Sequence, residues 1–234
     1  MDILNLVDKI YTDYPTFGSR SMCFFLRNEY NKYISRDKMR SIYKKLQLRA
    51  IYQEPKNTTI ANSTHKKYPY LLKNVPIVRV NQVWSTDITY IKLHKGFAYL
   101  SAIIDWYSRY VLGWSLDISM DAENCVELLE NTINKYTKCE IFNTDQGSQY
   151  TSNIFTKCLT NNEIRISMDG RGRFVDNIWI ERLWRTIKYE CIYLNDFKNV
   201  SECRLSLDKY FDFYNNSRPH QSINGLPPVK IYYK

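Results

Sequence analysis

The sequence contains few Gly, Pro and His residues and no closely spaced Cys pairs, which are the features of fibrous, low-complexity and zinc-binding proteins. Its 234 residues include only seven Gly, seven Pro and three His, which excludes collagen-like and low-complexity chains. The six Cys are scattered without a single Cys-x-x-Cys pair. Neither a zinc site nor a disulfide scaffold is therefore indicated, and we expect reduced, mostly buried thiols in a globular chain that is 44% hydrophobic.

Long hydrophobic stretches are also missing. The longest apolar run without a charge, Phe97 to Ile104, is far shorter than the roughly 20 residues that cross a bilayer. The N-terminus has neither the basic region nor the apolar region of a secretory signal. We therefore expect an intracellular, cytoplasmic protein that has no membrane partner.

Positive charge is abundant but unevenly distributed along the chain. Residues 1–80 contain 15 Lys and Arg against 6 Asp and Glu, a net charge of +9, whereas residues 81–234 contain 18 of each sign. Such an asymmetry is typical of a nucleic-acid-binding segment joined to another domain. A solvated basic face is the alternative that charge alone leaves open.

The first 50 residues have the pattern of a short helical bundle. Apolar residues recur at helical spacing within Ile3–Ile10 and Met22–Leu26, and Ser35 is a candidate N-cap for a third helix. One face of that helix is apolar, and the other carries the basic residues Arg36, Lys38, Arg40, Lys44 and Lys45. A bundle that ends in a basic helix is typical of helix-turn-helix DNA readers. A helical domain that merely packs on its neighbour is the alternative.

The pattern after residue 80 indicates an α/β domain. Three strand-like segments, Val83–Ile91, Phe97–Ile104 and Tyr110–Leu116, are followed by alternating helices and strands. These later elements are a helix over Ala122–Tyr136, a strand over Glu140–Asn143, a helix near Asn153–Leu159, a strand over Arg165–Ser167 and a long helix from Asn177. This order predicts a mixed sheet with helices packed on it.

Three carboxylates stand out by their positions. Asp87 lies inside a strand that otherwise looks buried, where a charge is costly unless it is paired or binds a metal. Asp145 directly follows a strand, and Glu181, separated from it by 35 residues, falls in the predicted second turn of the helix from Asn177. Oxygen donors without nearby His or Cys suit hard ions such as Mg²⁺. Two such ions can promote phosphodiester displacement, although each acid alone also has a structural explanation.

Polar residues on the same helix, and in the loop before it, are candidates for DNA contact. Asn177, Arg185 and Lys188 fall at −4, +4 and +7 from Glu181 and therefore on its face of the helix. Cations there could hold a DNA phosphate beside the acids. Arg171 and Arg173 alternate with glycines just before the helix, where we hypothesise a loop that closes over DNA. A plain solvent loop is the alternative.

Several segments resemble the DDE transposases of bacterial insertion sequences, which are related to retroviral integrases. The segments are Trp84–Tyr90, Thr144–Tyr150, Asp176–Trp184, Leu183–Glu190 and Tyr214–His220, and the resemblance spans essentially the whole chain. It implies an RNase H-like fold in which Asp87, Asp145 and Glu181 bind two Mg²⁺ ions, with Mn²⁺ as a substitute. It further implies hydrolysis at the 3′ ends of a mobile element, followed by attack of the freed 3′-OH on target DNA.

The resemblance also defines an expected domain organisation. It comprises a helix-turn-helix-like DNA-binding domain (1–50), a basic linker (51–79), an integrase catalytic core (80–190) and a helical C-terminal extension (191–234). The aromatic residues of that extension fit a packed helix better than a base-stacking surface. Members of this family usually act as a longer fusion with an upstream reading frame that supplies a further helix-turn-helix. We therefore expect that partner, or a fusion with it, and a homo-oligomer on DNA in the bacterial nucleoid.

Two other functions remain open from the residues alone. An RNase H-like structure-specific nuclease would cut DNA without joining it. A non-catalytic DNA-binding regulator of transposition would occupy the element ends without cutting them. The presence of all three acids argues against the second of these functions.

Overall fold

The computed structural model describes residues 3–51, 67–169 and 177–234. Within these ranges the chain forms two units. Unit 1 comprises the described residues of 1–56, 186–195 and 206–234, and unit 2 those of 57–185 and 196–205. Most of the predicted C-terminal extension is thus grouped with the N-terminal helices, and the domain boundaries given above stay a prediction. No helix within the described ranges has the length and apolarity to span a bilayer.

Although no bounds are predicted for the last two, the α-helices of the described residues lie in segments that the sequence predicts to be helical. They are α1 (Ile3–Asp13), α2 (Ser19–Tyr30), α3 (Arg36–Lys45), α4 (Ala122–Tyr136), α5 (Asn153–Asn161), α6 (Ile178–Glu190), α7 (Val200–Asn216) and α8 (Val229–Tyr232). Ser35 caps α3 as expected, because its hydroxyl accepts a hydrogen bond from the Lys38 N–H at 3.3 Å. The division between the units falls after Arg185 in α6 and after Leu205 in α7.

Unit 2 contains the predicted mixed sheet, which has five strands among the described residues. They are β1 (Val83–Lys92), β2 (Phe97–Asp105), β3 (Val111–Asp117), β4 (Ile141–Thr144) and β5 (Arg165–Met168). The strand order is β3-β2-β1-β4-β5, with β1, β2 and β3 antiparallel and with β4 and β5 parallel to β1. The bounds of each strand lie within one residue of the prediction, because β-branched and aromatic residues are concentrated there.

Helices pack on both faces of this sheet. On one face, Gly113 of β3 lets α4 approach closely, since a Cβ at Gly113 would lie 2.6 Å from the Thr132 hydroxyl. On the same face, Phe155 of α5 packs edge-on against Phe142 of β4, with ring centroids 5.9 Å apart. The opposite face carries Asp87 and is contacted by α6. The predicted site residue Asp87 is therefore on the α6 side of the sheet.

Unit 1 is built on a core of aliphatic and aromatic side chains. Its buried aliphatic residues include Leu6, Val7, Ile10, Met22, Leu26 and Met39. Phe213 of α7 stacks on Tyr14 with ring centroids 4.5 Å apart and also packs near Phe17 and Phe25. Tyr210, Phe211 and Tyr214 are buried as well. The C-terminal aromatic residues therefore form a packed helix, as predicted.

All six Cys of the chain are free thiols and five of them are buried. This confirms the prediction of reduced, mostly buried thiols.

A buried ion pair in unit 1 involves Glu190, the last residue of α6. Arg218 donates two hydrogen bonds to the Glu190 carboxylate, from Nε at 2.7 Å and from Nη2 at 2.6 Å. The Tyr210 hydroxyl donates a third at 2.8 Å. The two charged side chains are only 16% and 13% exposed. Loss of either partner would leave the other charge buried and poorly compensated.

We expect Arg218→Met to lower the free energy of unfolding by about 3 kcal/mol, because it strands the Glu190 charge in the core. Urea denaturation followed by circular dichroism measures this loss. The matched control is Arg40→Met, which removes an exposed ion pair with Asp37 and should cost less than about 1 kcal/mol. Equal losses in the two variants would contradict a special contribution of the buried pair.

Candidate active site

Two of the predicted acids lie side by side on adjacent parallel strands. Ser85 of β1 pairs with Asn143 of β4, so two residues further along both strands the register brings Asp87 next to Asp145. Neighbouring strands lie about 4.8 Å apart, and residues at matched register positions project to the same face of the sheet. The pairing of two acids so far apart in sequence is therefore a direct result of the β1–β4 register.

The environment of Asp87 disfavours its charged form. Burial raises its pKa most, and the neighbouring Asp145 raises it further. Two hydrogen bonds act in the opposite direction, from the Trp184 indole N–H to Oδ2 at 2.9 Å and from the Ile88 N–H to Oδ1 at 2.8 Å. Glu181 adds a smaller upward shift, and the resulting pKa is about 7. A carboxyl group in this state would gain much from a nearby cation.

Asp145 is oriented by the turn that follows it. The Gly147 N–H donates to its Oδ1 at 2.8 Å, and a Cβ at Gly147 would lie only 2.9 Å from that oxygen. Glycine is thus the residue that allows the backbone to pass so close to the carboxylate. Burial raises the pKa of Asp145, and the Gly147 hydrogen bond partly offsets the rise.

Glu181 lies in the first turn of α6, because the helix begins at Ile178. The expectation of a start at Asn177, with Glu181 in the second turn, was wrong by one residue. Trp184, three residues beyond Glu181 and therefore on a neighbouring part of the helix surface, makes the hydrogen bond to Asp87. This contact fixes the start of α6 against the strand that carries Asp87. Partial burial raises the pKa of Glu181.

The chemistry of these three groups fits a hard divalent cation. All are oxygen donors, and all have pKa values raised by burial, a shift that bound positive charge would reverse. Across residues 3–51, 67–169 and 177–234, no three His, Cys, Asp or Glu side chains form a complete metal-binding group. The structure thus pairs Asp87 with Asp145 and does not bring Glu181 into full coordination with them. Residues 170–176, which precede α6, are outside the described residues.

The residues predicted to contact DNA have different environments. Arg185 is exposed on the part of α6 in unit 2, Lys188 is half-buried on the part in unit 1, and Asn177 is buried just before the helix. Arg171 and Arg173 lie outside the described residues. The basic residues of α3 are all exposed, namely Arg36, Lys38, Arg40, Lys44 and Lys45.

A fourth acid at this edge of the sheet was missed by the sequence analysis. Thr144 of β4 pairs with Met168 of β5, so the next residues, Asp145 and Asp169, are neighbours in the same register. The sequence signal was an acid directly after a predicted strand, which is the signal that identified Asp145. Three aspartates thus follow one line across β1, β4 and β5.

Family models match nearly the whole chain. A model described as an integrase core domain matches residues 78–173, and a second model with the same description matches residues 162–228. A model of an HTH-like domain matches residues 2–56. The last match covers the three N-terminal helices, and the first two cover the sheet and the acids.

Curated relatives include proteins of bacterial insertion sequences. The chain is 27% identical over 234 residues to the putative transposase InsK for insertion sequence element IS150 of Escherichia coli K12, covering 98% of this chain and 82% of that protein. It is 34% identical over 154 residues to the transposase InsF for insertion sequence IS3A of the same strain, covering 64% of this chain. That match spans about half of the IS3A protein, at 54% of its length.

Solved structures with a similar fold include an HTLV-2 protein and a simian T-cell lymphotropic virus protein. The catalytic core domain of HTLV-2 integrase, solved with magnesium in a dimeric form, superposes with a TM-score of 0.55 and 22% identity, covering 66% of this chain and 98% of that one. A chain of the simian T-cell lymphotropic virus intasome, solved in complex with PP2A regulatory subunit B56 gamma, gives a TM-score of 0.58 at 14% identity, covering 97% and 72% respectively. These similarities establish the integrase-core fold.

Proposed function

We infer that this chain, which belongs to the integrase core-domain family, is a DDE transposase, and we propose that it hydrolyses the 3′ ends of a mobile element and joins them to target DNA. The observation that carries the proposal is the β1–β4 register, which sets Asp87 beside Asp145 on the face of the sheet contacted by α6. Two adjacent carboxylates with raised pKa values form an anionic centre suited to hard cations.

Asp87, Asp145 and Glu181 are the residues that would hold two Mg²⁺ ions, with Mn²⁺ as a substitute. When bound, such ions supply activation of the attacking oxygen and stabilisation of the leaving oxygen in phosphodiester displacement. The chain itself orients the ligands. The Trp184 indole fixes Oδ2 of Asp87, and the Gly147 N–H fixes Oδ1 of Asp145. Each carboxylate is thereby held in one orientation before DNA arrives.

Substrate positioning in this proposal depends on cationic side chains near the acids. Arg185, one turn beyond Glu181 and exposed on α6, would bind a DNA phosphate and so offset the repulsion between phosphate and carboxylate. On the sequence pattern alone, we also propose phosphate contacts for Lys188 and for Arg171 and Arg173, the last two of which lie outside the described residues. Water would attack the phosphodiester in the hydrolytic step, and the freed 3′-OH would attack in the joining step.

The basic face of α3 is the proposed DNA-gripping surface of the HTH-like domain. It is tested by Lys44→Ala/Lys45→Ala, which removes two exposed charges from the last turn of α3. Each phosphate contact contributes about 0.9 to the slope of log affinity against log salt concentration, so the slope should become shallower by about 2. Fluorescence anisotropy with duplex DNA at several salt concentrations measures the slope.

The matched control for this prediction is Lys135→Ala/Lys157→Ala, which removes two exposed charges from α4 and α5 of unit 2. We expect this variant to retain the wild-type slope. If the control lost as much salt dependence as the α3 variant, DNA contact would not be concentrated on α3.

The reaction itself is tested with duplex DNA that ends in the terminal sequence of the element encoding this chain, incubated with a supercoiled target plasmid and Mg²⁺. We expect a nicked donor strand and a joined donor–target product. Nicking without joining would identify a structure-specific nuclease, and DNA binding without nicking would identify a regulator of transposition. Size-exclusion chromatography of the DNA complex tests the proposed homo-oligomer, with and without the upstream-frame protein.

A further inference from the structure

Asp169 is bonded to the residues on both sides of Asp145. Its N–H donates to the Thr144 carbonyl at 2.9 Å, which extends the β4–β5 ladder by one residue. Its Oδ1 accepts a hydrogen bond from the Asn143 amide at 2.8 Å. Its own carbonyl accepts one from the Gln146 amide, also at 2.8 Å. Three bonds therefore reach Asn143 and Thr144, which precede Asp145, and Gln146, which follows it.

The contact between Asn143 and Asp169 matters because the Asn143 side chain is buried. Asn143 is fully buried in the middle of the sheet, where its amide group needs a hydrogen-bond acceptor because water cannot supply one. The Asp169 carboxylate is that acceptor, and a bond to a charged acceptor is roughly twice as strong as one between neutral groups. The backbone leading into Asp145 is thus fixed by a side chain from the next strand.

The contact through Gln146 acts on the other side of Asp145. Gln146 begins the turn in which Gly147 donates to the Asp145 carboxylate. The acceptor for Gln146 is the main-chain carbonyl of Asp169, so this contact fixes the start of the turn through the backbone of residue 169. The turn then orients the carboxylate oxygen of Asp145 through the Gly147 N–H. The orientation of the Asp145 carboxylate therefore depends on the contacts of Asn143, before it, and of Gln146, after it.

We propose that Asp169 is a positioning residue for Asp145. Its carboxylate acts through Asn143, and its main-chain carbonyl acts through Gln146. The inference rests on the proposed function, because it assigns a role relative to a metal-binding acid. Some residues orient metal ligands without touching the metal. Substitution of such a residue typically lowers metal affinity or activity by about 10- to 100-fold. A ligand in direct contact with the ion would have a larger effect that the corresponding amide could not rescue.

The experiment compares Asp169→Ala, Asp169→Asn and Gln146→Ala over a series of Mg²⁺ concentrations in two measurements, which are strand transfer and the rise in melting temperature that Mg²⁺ causes without DNA. Asp169→Ala should lower the rate by about 10- to 100-fold and raise the Mg²⁺ concentration that gives half the maximal rate. Asp169→Asn should restore most of the rate, because its side-chain oxygen accepts the same bond from Asn143. Gln146→Ala, which leaves the carboxylate in place, should shift the Mg²⁺ requirement in the same direction but less.

The outcomes separate this inference from the proposed function. Wild-type activity that is lost in Asp145→Asn supports the function. A wild-type rate and wild-type Mg²⁺ requirement in Asp169→Ala would then overturn the positioning role alone. An Asp169→Asn variant as inactive as Asp145→Asn would also overturn it, since the charge itself would be required. Should Asp169→Ala fail to fold, a wild-type rate and a wild-type Mg²⁺ requirement in Asn143→Ala, which removes the amide that the Asp169 carboxylate contacts, would overturn the proposal.

Discussion

Asp145→Asn should abolish both nicking and strand transfer in Mg²⁺, with a rate loss of about 10³-fold or more. The substitution keeps the size of the side chain and leaves an oxygen that can accept the Gly147 hydrogen bond. It removes only the negative charge, so the variant should fold and bind DNA like the wild type. Gel assays of nicked and joined products, together with anisotropy for binding, measure the two properties separately.

The matched control for this loss is Asp117→Asn, at the end of β3 in the same sheet. It also replaces a carboxylate by an amide, at a half-buried position. In the sheet, β3 is separated from β4 by β2 and β1. We expect this variant to cut and join at nearly the wild-type rate. Undiminished nicking by Asp145→Asn would show that the catalytic assignment is wrong.

Asp87→Asn should stabilise the metal-free protein at pH 8. Folding raises the pKa of Asp87 from its ordinary 3.8 to about 7, so the folded state holds this proton more tightly than the unfolded state. The free energy of unfolding of the wild type should therefore fall as pH rises from about 4 to about 7, by up to about 4 kcal/mol from this group. The neutral amide has no such proton to lose.

Urea denaturation in EDTA at several pH values measures this difference. The stability of the variant relative to the wild type should grow as pH rises through that window and then level off above it. Mg²⁺ should shrink the difference at pH 8, because a cation that binds only the ionised site stabilises the wild type. Parallel pH profiles for the two proteins in EDTA would contradict the proposed electrostatic strain at Asp87.

Local sequence carries most of the information that defines the sheet and the helices. Asp87 could be singled out because a charge in the middle of β1, among β-branched and aromatic neighbours, is costly unless it is paired or binds a metal. Ser35 could be identified as a cap because its hydroxyl precedes an apolar periodicity. Both inferences depend on residues within one element, so the rest of the fold does not alter them.

Local sequence does not specify the register between strands or the contacts between residues that are far apart in the chain. Asp169 follows β5 just as Asp145 follows β4, but its contact with Asn143 depends on the pairing of these two strands, which no local pattern specifies. The buried Asn143 amide gives no sign in sequence of the acid that it contacts. Likewise, the packing of Phe213 with Tyr14 joins two segments about 200 residues apart. Such contacts depend on the whole fold, and no local pattern encodes them.

The start of α6 shows that sequence predicts a helix more reliably than it predicts the exact first residue of that helix. The sequence predicts a helix from Asn177, and α6 begins one residue later, at Ile178, which is within the usual uncertainty of helix ends. The shift moves Glu181 from the second turn to the first, yet the acid keeps its spacing from Trp184. The contact between Trp184 and Asp87 therefore determines where the acid lies, more than the exact helix boundary does.

The most direct test of the account is the anomalous diffraction of Mn²⁺ in crystals of the protein bound to element-end DNA. The account predicts two manganese peaks, both coordinated by carboxylate oxygens of Asp87, Asp145 and Glu181. Manganese absent from Asp87 and Asp145, or a bound state in which Glu181 stays out of coordinating reach, would contradict it.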